Sequence, residues 1–323
     1  MRSSRTIFAT AIAAVSVLAL AACSSQGGAQ AENSDATSQR YVVAMVTHES
    51  PGDSFWDKVR AGAEQAAQDL NVELRYSNDP DGGRQATLVQ SAIDSQVDGV
   101  AVTLSQADQV GPAVQKAAQA GIPTVAFNSG IDVYTDYDVK MYFGSDENLA
   151  GQTAGQRIAA DGGGKTLCVV HEQGSVALEA RCAGVKSADP DTENLQVNGT
   201  DLPSVQQTIG AKLQQDPSIT HVVTLSAPVA QATLQAKTSS GSQAKVITFD
   251  LNAEIAKAVQ DGQIEFSIDQ QPYVQGYMAV QTLWLNITNG NDLGGGKPVL
   301  TGPSFVDSSN IAQIAPFAEK NTR

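Results

Sequence analysis

The stretch Gly99-Val100-Ala101-Val102-Thr103-Leu104-Ser105 is a short apolar run that ends on a polar residue. Runs of this length that are rich in valine and lack alternation are typical of strands buried on both faces of a parallel sheet. Its last four residues recur as Val223-Thr224-Leu225-Ser226, and Phe127-Asn128 recurs as Phe249-Asp250, each about 121 residues further along. A shared separation predicts two similar lobes, each with a sheet of its own.

Apolar runs alternate with amphipathic segments along the rest of the chain. We predict strands at 41–47, 72–76, 99–104, 124–127, 166–170, 221–225 and 245–249. The helix after the first strand has Ser54 as its predicted N-cap and an apolar face formed by Phe55, Val59, Ala63, Ala67 and Leu70. Its Arg60-Ala61-Gly62 segment is echoed by Arg181-Cys182-Ala183-Gly184. This order predicts the α/β class, with two doubly wound parallel sheets.

The first 22 residues have the features of an export signal. Arg2 and Arg5 precede an apolar stretch at 7–20. A stretch this short with such flanks is typical of a cleavable signal rather than a membrane span. Residues 1–22 are therefore predicted to be a signal peptide.

The end of this segment, Leu20-Ala21-Ala22-Cys23, resembles a bacterial lipobox. Cys23 is thus the predicted lipidation site, which places the chain on the extracytoplasmic face of the cell membrane; the alternative is an ordinary signal peptide with an incidental cysteine. Residues 23–39 are rich in Ser, Gln, Ala and Gly, and we predict a flexible tether there.

The charge of the chain restricts its partners. The sequence has 20 Lys and Arg residues against 34 Asp and Glu, and loss of the two arginines in residues 1–22 changes the net charge from −14 to −16. An acidic chain repels nucleic acid and anionic lipid. We therefore expect no nucleic-acid partner.

The sequence lacks the usual catalytic motifs. His171-Glu172-Gln173-Gly174 has no second histidine at the helical spacing of a zinc site. Gly162-Gly163-Gly164-Lys165-Thr166 precedes a strand, whereas a phosphate loop follows one, so we predict a turn. The chain also has no G-x-S-x-G elbow. We expect a protein that is not an enzyme and that carries no cofactor and no metal.

Polar residues directly after the strands are the candidate site. In parallel α/β sheets, ligands bind beyond the carboxyl ends of the strands, and two facing lobes would enclose a cleft there. The predicted cleft residues of this kind are Thr47, Ser105, Asn128, His171, Ser226 and Asp250.

The side chains near these positions suit a polyhydroxylated ligand. Asp250 can accept from neighbouring hydroxyls, Arg181 can donate through its fork, and Asn128 and Gln270 can do both. Phe55-Trp56 can cover an apolar C–H face. Two alternatives stay open, namely that Phe55 belongs to the core and that Asp250 only caps a strand end.

Two cysteines remain after Cys23. Cys168 lies in a predicted strand and Cys182 on the following helix, so the two could face each other. An oxidising compartment permits a disulfide between them, and two buried free thiols are the alternative.

The chain resembles the ribose/galactose-type periplasmic sugar-binding proteins of ABC importers, a type I solute-binding fold. The resemblance covers about residues 41–306. It rests on Phe55-Trp56, Val97-Asp98-Gly99-Val100-Ala101-Val102, Gly121-Ile122-Pro123-Thr124-Val125, Gly144-Ser145-Asp146-Glu147, Arg181-Cys182-Ala183-Gly184-Val185, Phe249-Asp250 and Ile268-Asp269-Gln270-Gln271-Pro272-Tyr273-Val274-Gln275-Gly276-Tyr277.

The resemblance implies two lobes joined by a hinge with three crossings. The implied first lobe is 40–144 plus 271–301, and the second is 145–270 plus 302–323. The implied ligand contacts are Thr47, Asp53, Phe55, Trp56 and Asn128 from the first lobe, Arg181, Ser226 and Asp250 from the second, and Gln270 at the hinge.

The chain departs from ribose binders at three of these places. It has Asn128-Ser129 where they have an acid followed by arginine, Ser226 in place of an asparagine, and Asp53 in place of another. The missing arginine typically donates to a ring oxygen. These departures favour a sugar alcohol of the threitol or xylitol type over a cyclic monosaccharide.

The resulting expectation is a monomeric, lipid-anchored solute-binding protein. It would deliver a sugar alcohol or monosaccharide to the permease and ATPase of an ABC importer. The alternative is a ligand-binding partner of a sensor or chemoreceptor for the same ligands.

Overall fold

The computed structural model describes residues 39–323. The predicted signal peptide at 1–22, the lipidation site Cys23 and the tether up to residue 38 lie outside the described residues. No helix within 39–323 is both long and apolar enough to span a membrane.

Strands and helices alternate through the described part of the chain. The strands are β1 (Val42–Thr47), β2 (Glu73–Asn78), β3 (Gly99–Val102), β4 (Thr124–Phe127), β5 (Met141–Ser145), β6 (Lys165–Val170), β7 (Thr192–Gln196), β8 (Ile219–Thr224), β9 (Lys245–Phe249), β10 (Phe266–Asp269), β11 (Val299–Gly302) and β12 (Ser304–Asp307). The α-helices are α1 (Ser54–Asp69), α2 (Gly82–Asp94), α3 (Ala107–Gln119), α4 (Glu147–Ala160), α5 (Val176–Ala188), α6 (Leu202–Gln215), α7 (Ala227–Ser240), α8 (Ala253–Gln260), α9 (Pro272–Asn289) and α10 (Ile311–Glu319).

These strands form two sheets of six with matching topology. The first sheet has the order β11-β5-β4-β3-β1-β2 and the second has β12-β10-β9-β8-β6-β7. All neighbours are parallel except β12, which runs antiparallel to β10. The predicted fold class, two similar doubly wound lobes, is confirmed. The first lobe is defined here by the first sheet and its helices, and the second lobe by the second sheet.

Helices cover both faces of each sheet, as buried parallel strands require. In β1, Val43 and Met45 pack into one apolar cluster with α1 and α9, while Ala44 and Val46 pack into another with α2 and α3. Alternate residues of a strand point to opposite faces, so an unbroken apolar run fills both clusters.

The predicted strands are present, with ends shifted by a few residues, but the list of predicted strands omits β5, β7, β10, β11 and β12. The edge strand β7, with sequence Thr-Glu-Asn-Leu-Gln, has half-exposed residues and lacks the apolar run that marks a buried strand. In β11 and β12 one residue of four is buried, so these strands lack the apolar run that marks the equally short β3 and β4.

The chain passes between the sheets after β5, after β10 and between β11 and β12. Gly302 and Ser145, the last residues of β11 and β5, pair with each other in the first sheet. At these crossings the Gln271 side chain donates to the Thr301 carbonyl oxygen at 2.6 Å, and Thr301 Oγ1 donates to the Gln270 carbonyl oxygen at 2.8 Å.

Glycines allow the closest helix pairs to approach. A Cβ on Gly62 of α1 would collide with the Tyr273 carbonyl oxygen of α9, and a Cβ on Gly184 of α5 would collide with the Asn148 carbonyl oxygen of α4. Both glycines lie in the repeated segments that begin with an arginine, Arg60-Ala61-Gly62 and Arg181-Cys182-Ala183-Gly184. The duplicated segment therefore preserves a helix contact in each lobe.

The first helix starts differently from the prediction. Asp53, not Ser54, is its N-cap, and Asp53 Oδ1 accepts from the Phe55 N–H at 3.0 Å. An N-cap residue needs extended backbone angles, which Asp53 has, whereas Ser54 is the first helical residue.

Candidate functional site

A cavity lies at the carboxyl ends of the strands, where the two lobes meet. It holds about 350 Å³, including its mouth, which is open to solvent. Its lining residues are His48, Asp53, Phe55, Trp56, Asn128, His171, Glu172, Ser175, Ala177, Leu178, Arg181, Leu225, Ser226, Asp250 and Gln270.

The lobes contact each other beside this cavity. The Val176 N–H donates to the Ser105 carbonyl oxygen at 3.0 Å, and Ser105 Oγ donates to Ser175 Oγ at 3.1 Å. Asn252 Nδ2 also donates to Ser54 Oγ at 3.3 Å. These bonds join side chains and backbone from opposite lobes, so they hold the cavity walls together.

The strand ends Asn128 and Asp250 have the same unusual backbone conformation. Their φ angles are 64° and 67°, in the left-handed region that asparagine and aspartate enter more readily than most residues. Each follows a buried phenylalanine at the end of the equivalent strand, β4 or β9. The turn brings both side chains to the cavity, one from each lobe.

Asp250 is buried and bonded to the hinge residue Gln270. Gln270 Nε2 donates to Asp250 Oδ1 at 2.6 Å. Burial raises the pKa of Asp250 to about 7, although the nearby Arg181 opposes the shift. Asp250 is not the cap of the next helix, because Asn252 accepts from the Ile255 N–H there at 2.8 Å. Its second carboxylate oxygen is thus available for a ligand.

Arg181 is fixed by three contacts within the second lobe. Its Nε donates to Glu147 Oε2 at 2.6 Å, its Nη1 donates to the Leu225 carbonyl oxygen at 3.2 Å, and its guanidinium lies 4.5 Å from the centre of the Phe249 ring. Because these contacts already restrain the guanidinium group, its remaining N–H donors can bind a ligand with little further loss of conformational entropy.

The aromatic wall comes from α1. Trp56 packs edge-on against Phe55 at 5.1 Å and against His48 at 4.8 Å between ring centroids. Both Phe55 and Trp56 belong to the apolar core of the first lobe and also line the cavity. Phe55 can therefore be both a core residue and a ligand contact, because one face of its ring can pack in the core while the other faces the cavity.

Acidic groups from both lobes face the cavity. Burial raises the pKa of Asp53, and it raises the pKa of Glu172 to about 8, with Asp53 and Asp250 adding repulsion. Glu172 Oε2 lies 3.8 Å from His48 Nε2 across the cleft. Burial lowers the pKa of His48 to about 3, so this histidine is neutral near pH 7.

Eight of the nine side chains that the sequence predicts as ligand contacts line this cavity. Thr47 does not, because its hydroxyl is hydrogen-bonded to the Tyr76 hydroxyl at 2.9 Å below the strand end. Among the cleft residues inferred from strand ends, His171 lines the cavity and Ser105 joins the lobes.

Several lining residues are missing from the sequence prediction. They include His48, Glu172 and Ser175. His48 and Glu172 follow β1 and β6 by one and two residues, so the strand-end rule extended by two positions would have found them. Ser175 reaches the cavity because of the turn before α5, and no sequence motif predicts that turn.

The two cysteines of the described region form a disulfide. Cys168 of β6 and Cys182 of α5 are joined, with their Cα atoms 5.8 Å apart. This settles the choice between a disulfide and free thiols in favour of the disulfide. Within residues 39–323, no cluster of three or more His, Cys, Asp or Glu side chains is arranged to hold a metal ion.

Solved structures with the same fold include sugar-binding proteins. A carbohydrate transporter from Acidothermus cellulolyticus 11B, solved in complex with myo-inositol, is 51% identical, with a TM-score of 0.87, and the match covers 88% of this chain and 100% of that one. A solute-binding protein from Burkholderia graminis solved with D-arabinose shares the fold at 23% identity and a TM-score of 0.75, over 84% of this chain and 96% of that one.

Curated relatives carry related names. The ribose import binding protein of Bacillus subtilis is 24% identical over 84% of this chain and 90% of its own length. The xylitol-binding protein of Mycolicibacterium smegmatis is 31% identical over 50% of this chain and 44% of its own length. The chain spans 65% of the xylose/arabinose-binding protein of Sulfolobus acidocaldarius, at 25% identity over 75% of this chain.

The sequence profile of the periplasmic binding protein domain matches residues 43–292, which is most of the chain. This match and the two-lobed structure confirm the family resemblance and the expectation of a binding protein rather than an enzyme. The chain therefore belongs to the periplasmic binding protein domain family, and its relatives include a ribose import binding protein.

Proposed function

We propose that this chain is the extracytoplasmic solute-binding component of an ABC importer and that it captures a small neutral polyol, or a monosaccharide, between its lobes. It is held at the cell membrane by a lipid on Cys23 and acts as a monomer. Its lobes comprise 40–144 with 271–301 and 145–270 with 302–323. They close on the ligand by rotation about the three crossings.

One observation carries this proposal. Donors and acceptors from both lobes line one cavity, namely Asn128 from the first lobe and Asp250 and Arg181 from the second. Trp56 adds an aromatic surface to the same cavity. Hydroxyls supply both donors and acceptors, while the C–H groups of a polyol suit an aromatic face. When the lobes close, each unpaired polar group costs about 1–3 kcal/mol, which discriminates between stereoisomers.

A polyol without a ring oxygen fits this donor set best. Where ribose binders carry an arginine for the ring oxygen, this chain has Ser129, which is fully buried. The Acidothermus protein holds myo-inositol, a cyclic polyol, and the partial relative from Mycolicibacterium is named for xylitol. We therefore rank a cyclitol such as myo-inositol first, followed by acyclic alcohols such as xylitol and threitol.

Isothermal titration of the purified protein against myo-inositol, xylitol, threitol and ribose tests this proposal. We expect micromolar or tighter binding of at least one polyol, and weaker binding of ribose. Tight binding of an aldose with no polyol binding would overturn the choice of ligand. No binding of any member of the set would overturn the proposed function.

A further inference from the structure

Asp and Glu side chains outnumber Lys and Arg side chains in the cavity lining. Three carboxylates line it, those of Asp53, Glu172 and Asp250, whereas Arg181 is the one Lys or Arg side chain among its lining residues. Arg181 is already paired with Glu147, and both side chains of that pair are at most 4% exposed. The pair is neutral, so three acidic groups remain without a lining cation.

Neighbouring basic groups lie outside the cavity lining, although Lys58 interacts electrostatically with Asp53 and Asp250. Lys58 is buried near the acids, but its Nζ donates to the Ser54 carbonyl oxygen at 3.0 Å and the residue is not part of the lining. Arg323 is engaged by Asp269 at 2.6 Å. His48 is bonded through Nδ1 to Thr103 Oγ1 at 2.7 Å, and burial lowers the pKa of both His48 and His171 to about 3, so neither adds positive charge near pH 7.

The cavity-lining residue Gln270 also carries an acceptor without a partner. Gln270 Oε1 has no hydrogen-bond partner within the described chain, and the residue is only 2% exposed. The amide nitrogen of this side chain is held by Asp250, which points the oxygen elsewhere. A donor from a bound ligand would remove the cost of leaving this buried acceptor unpaired.

We propose that the cleft takes an amine-bearing polyol, such as an amino-deoxy cyclitol, in preference to its neutral parent, and that it rejects anionic derivatives. An ammonium group brings three donors and one positive charge, whereas a hydroxyl brings one donor and no charge. Either group can donate to Gln270 Oε1, but only the ammonium adds a positive charge beside Asp53, Glu172 and Asp250. That charge favours the ionised carboxylates and so opposes the burial that raises the pKa of Glu172 to about 8 and of Asp250 to about 7. This inference rests on the proposed function and narrows its ligand class.

Titration calorimetry near pH 7 with three probes tests the inference: myo-inositol, an amino-deoxy-inositol and an inositol monophosphate. We expect the amine to bind at least about tenfold more tightly than inositol, because bonds between charged partners are roughly twice as strong as neutral ones. The phosphate should show no measurable binding. An amine that binds no more tightly than inositol overturns the inference and leaves the proposed function intact, whereas failure of all three probes, xylitol and ribose counts against the proposed function itself.

A pair of variants locates the effect. Glu172→Gln keeps the shape of a cavity acid and removes its ability to ionise beside a bound ammonium, so the ratio of amine to inositol affinity should fall by about tenfold. Glu64→Gln makes the same chemical change on an exposed position of α1 and should leave the ratio as in the parent protein. An unchanged ratio in Glu172→Gln, with thermal melting showing a folded protein, would show that the lining acids do not select charge.

Discussion

The two lobes share one backbone plan, but they place different chemistry at equivalent positions. Asn128 and Asp250 end corresponding strands with nearly the same φ, yet one is a neutral amide and the other a buried carboxylate. Duplication fixes where a side chain meets the cavity, and substitution decides what it offers there. The first lobe contributes the aromatic wall, the amide of Asn128 and the carboxyl of Asp53, whereas the second contributes Arg181, Glu172 and Asp250.

The equivalent arginines of the two lobes, Arg60 and Arg181, also differ in their surroundings. Arg60 pairs with Glu49 and lies 4.3 Å from the centre of the Tyr76 ring, with 36% of its side chain exposed. Arg181 pairs with Glu147 and lies over Phe249, with 4% exposed. Each arginine therefore has an acid and an aromatic ring as partners. Only the arginine of the second lobe belongs to the cavity lining, and only that one is fully desolvated.

We expect the largest contrast, in ligand affinity, from removing the side chains at the two strand ends, Asp250 and Asn128. Asp250→Gly and Asn128→Gly both keep the left-handed backbone without strain. Asp250→Gly should weaken polyol binding by more than about a hundredfold, because a charged hydrogen bond contributes about 1.5–3 kcal/mol and this carboxylate can serve two hydroxyls. Asn128→Gly should cost roughly tenfold. Titration calorimetry measures both, and an Asp250→Gly affinity within about threefold of the parent would refute the assigned role.

The arginine pairs give the next largest contrast, in stability. Glu147→Gln leaves the buried Arg181 uncompensated and should lower the free energy of unfolding by about 3–5 kcal/mol. Glu49→Gln removes the partner of a partly exposed arginine and should cost about 1 kcal/mol or less. Urea unfolding followed by circular dichroism compares them. Equal losses would mean that burial does not separate the two pairs.

The disulfide is a further asymmetry, since within residues 39–323 only the second lobe has one. It closes a loop with a sequence separation of 14, and a loop of this size stabilises by about 3 kcal/mol in the chain-entropy description. The double variant Cys168→Ala/Cys182→Ala should therefore unfold at lower urea concentration than the parent. If the reducing agent dithiothreitol shifts the midpoint of the double variant as well, the disulfide is not the cause of the shift.

The smallest effect is a pH dependence of stability, which we expect to arise from the second-lobe acids Asp250 and Glu172. Burial raises the pKa of Asp250 from 3.8 to about 7 and that of Glu172 from 4.5 to about 8. Both groups keep a proton in the folded state that they lose in the unfolded chain. Below about pH 6.5 His48 and His171 offset this, because burial lowers their pKa from 6.5 to about 3 and the unfolded histidines are protonated there. Stability without ligand should therefore fall as pH rises from about 6.5 to 8.

Melting temperatures from pH 5 to 8.5 measure this fall. Asp250→Asn should flatten it, because a neutral amide has no proton to retain, while Asn128→Gly should keep the slope of the parent. A slope that Asp250→Asn does not change would show that Asp250 is ionised throughout the range.

Much of the site follows from local sequence rules. Asn128, Ser226 and Asp250 are found because the carboxyl ends of parallel strands meet at one edge. Thr47 obeys the same rule and is nevertheless turned away, because Tyr76 from the neighbouring strand offers a hydrogen bond that no local pattern reveals. Asp53 was expected at the ligand, and the structure gives it the additional role of N-cap.

The sequence by itself determined the α/β alternation, the duplication and the strand-end positions, because these depend on periodicity and residue type over short distances. The tertiary structure alone decided which acids are desolvated together, that Cys168 meets Cys182, and that Ser105 and Ser175 join the lobes. These features depend on distances between segments far apart in the chain. The burial of these acids and the proximity of these residue pairs arise only when distant segments pack together, so no local sequence pattern predicts them.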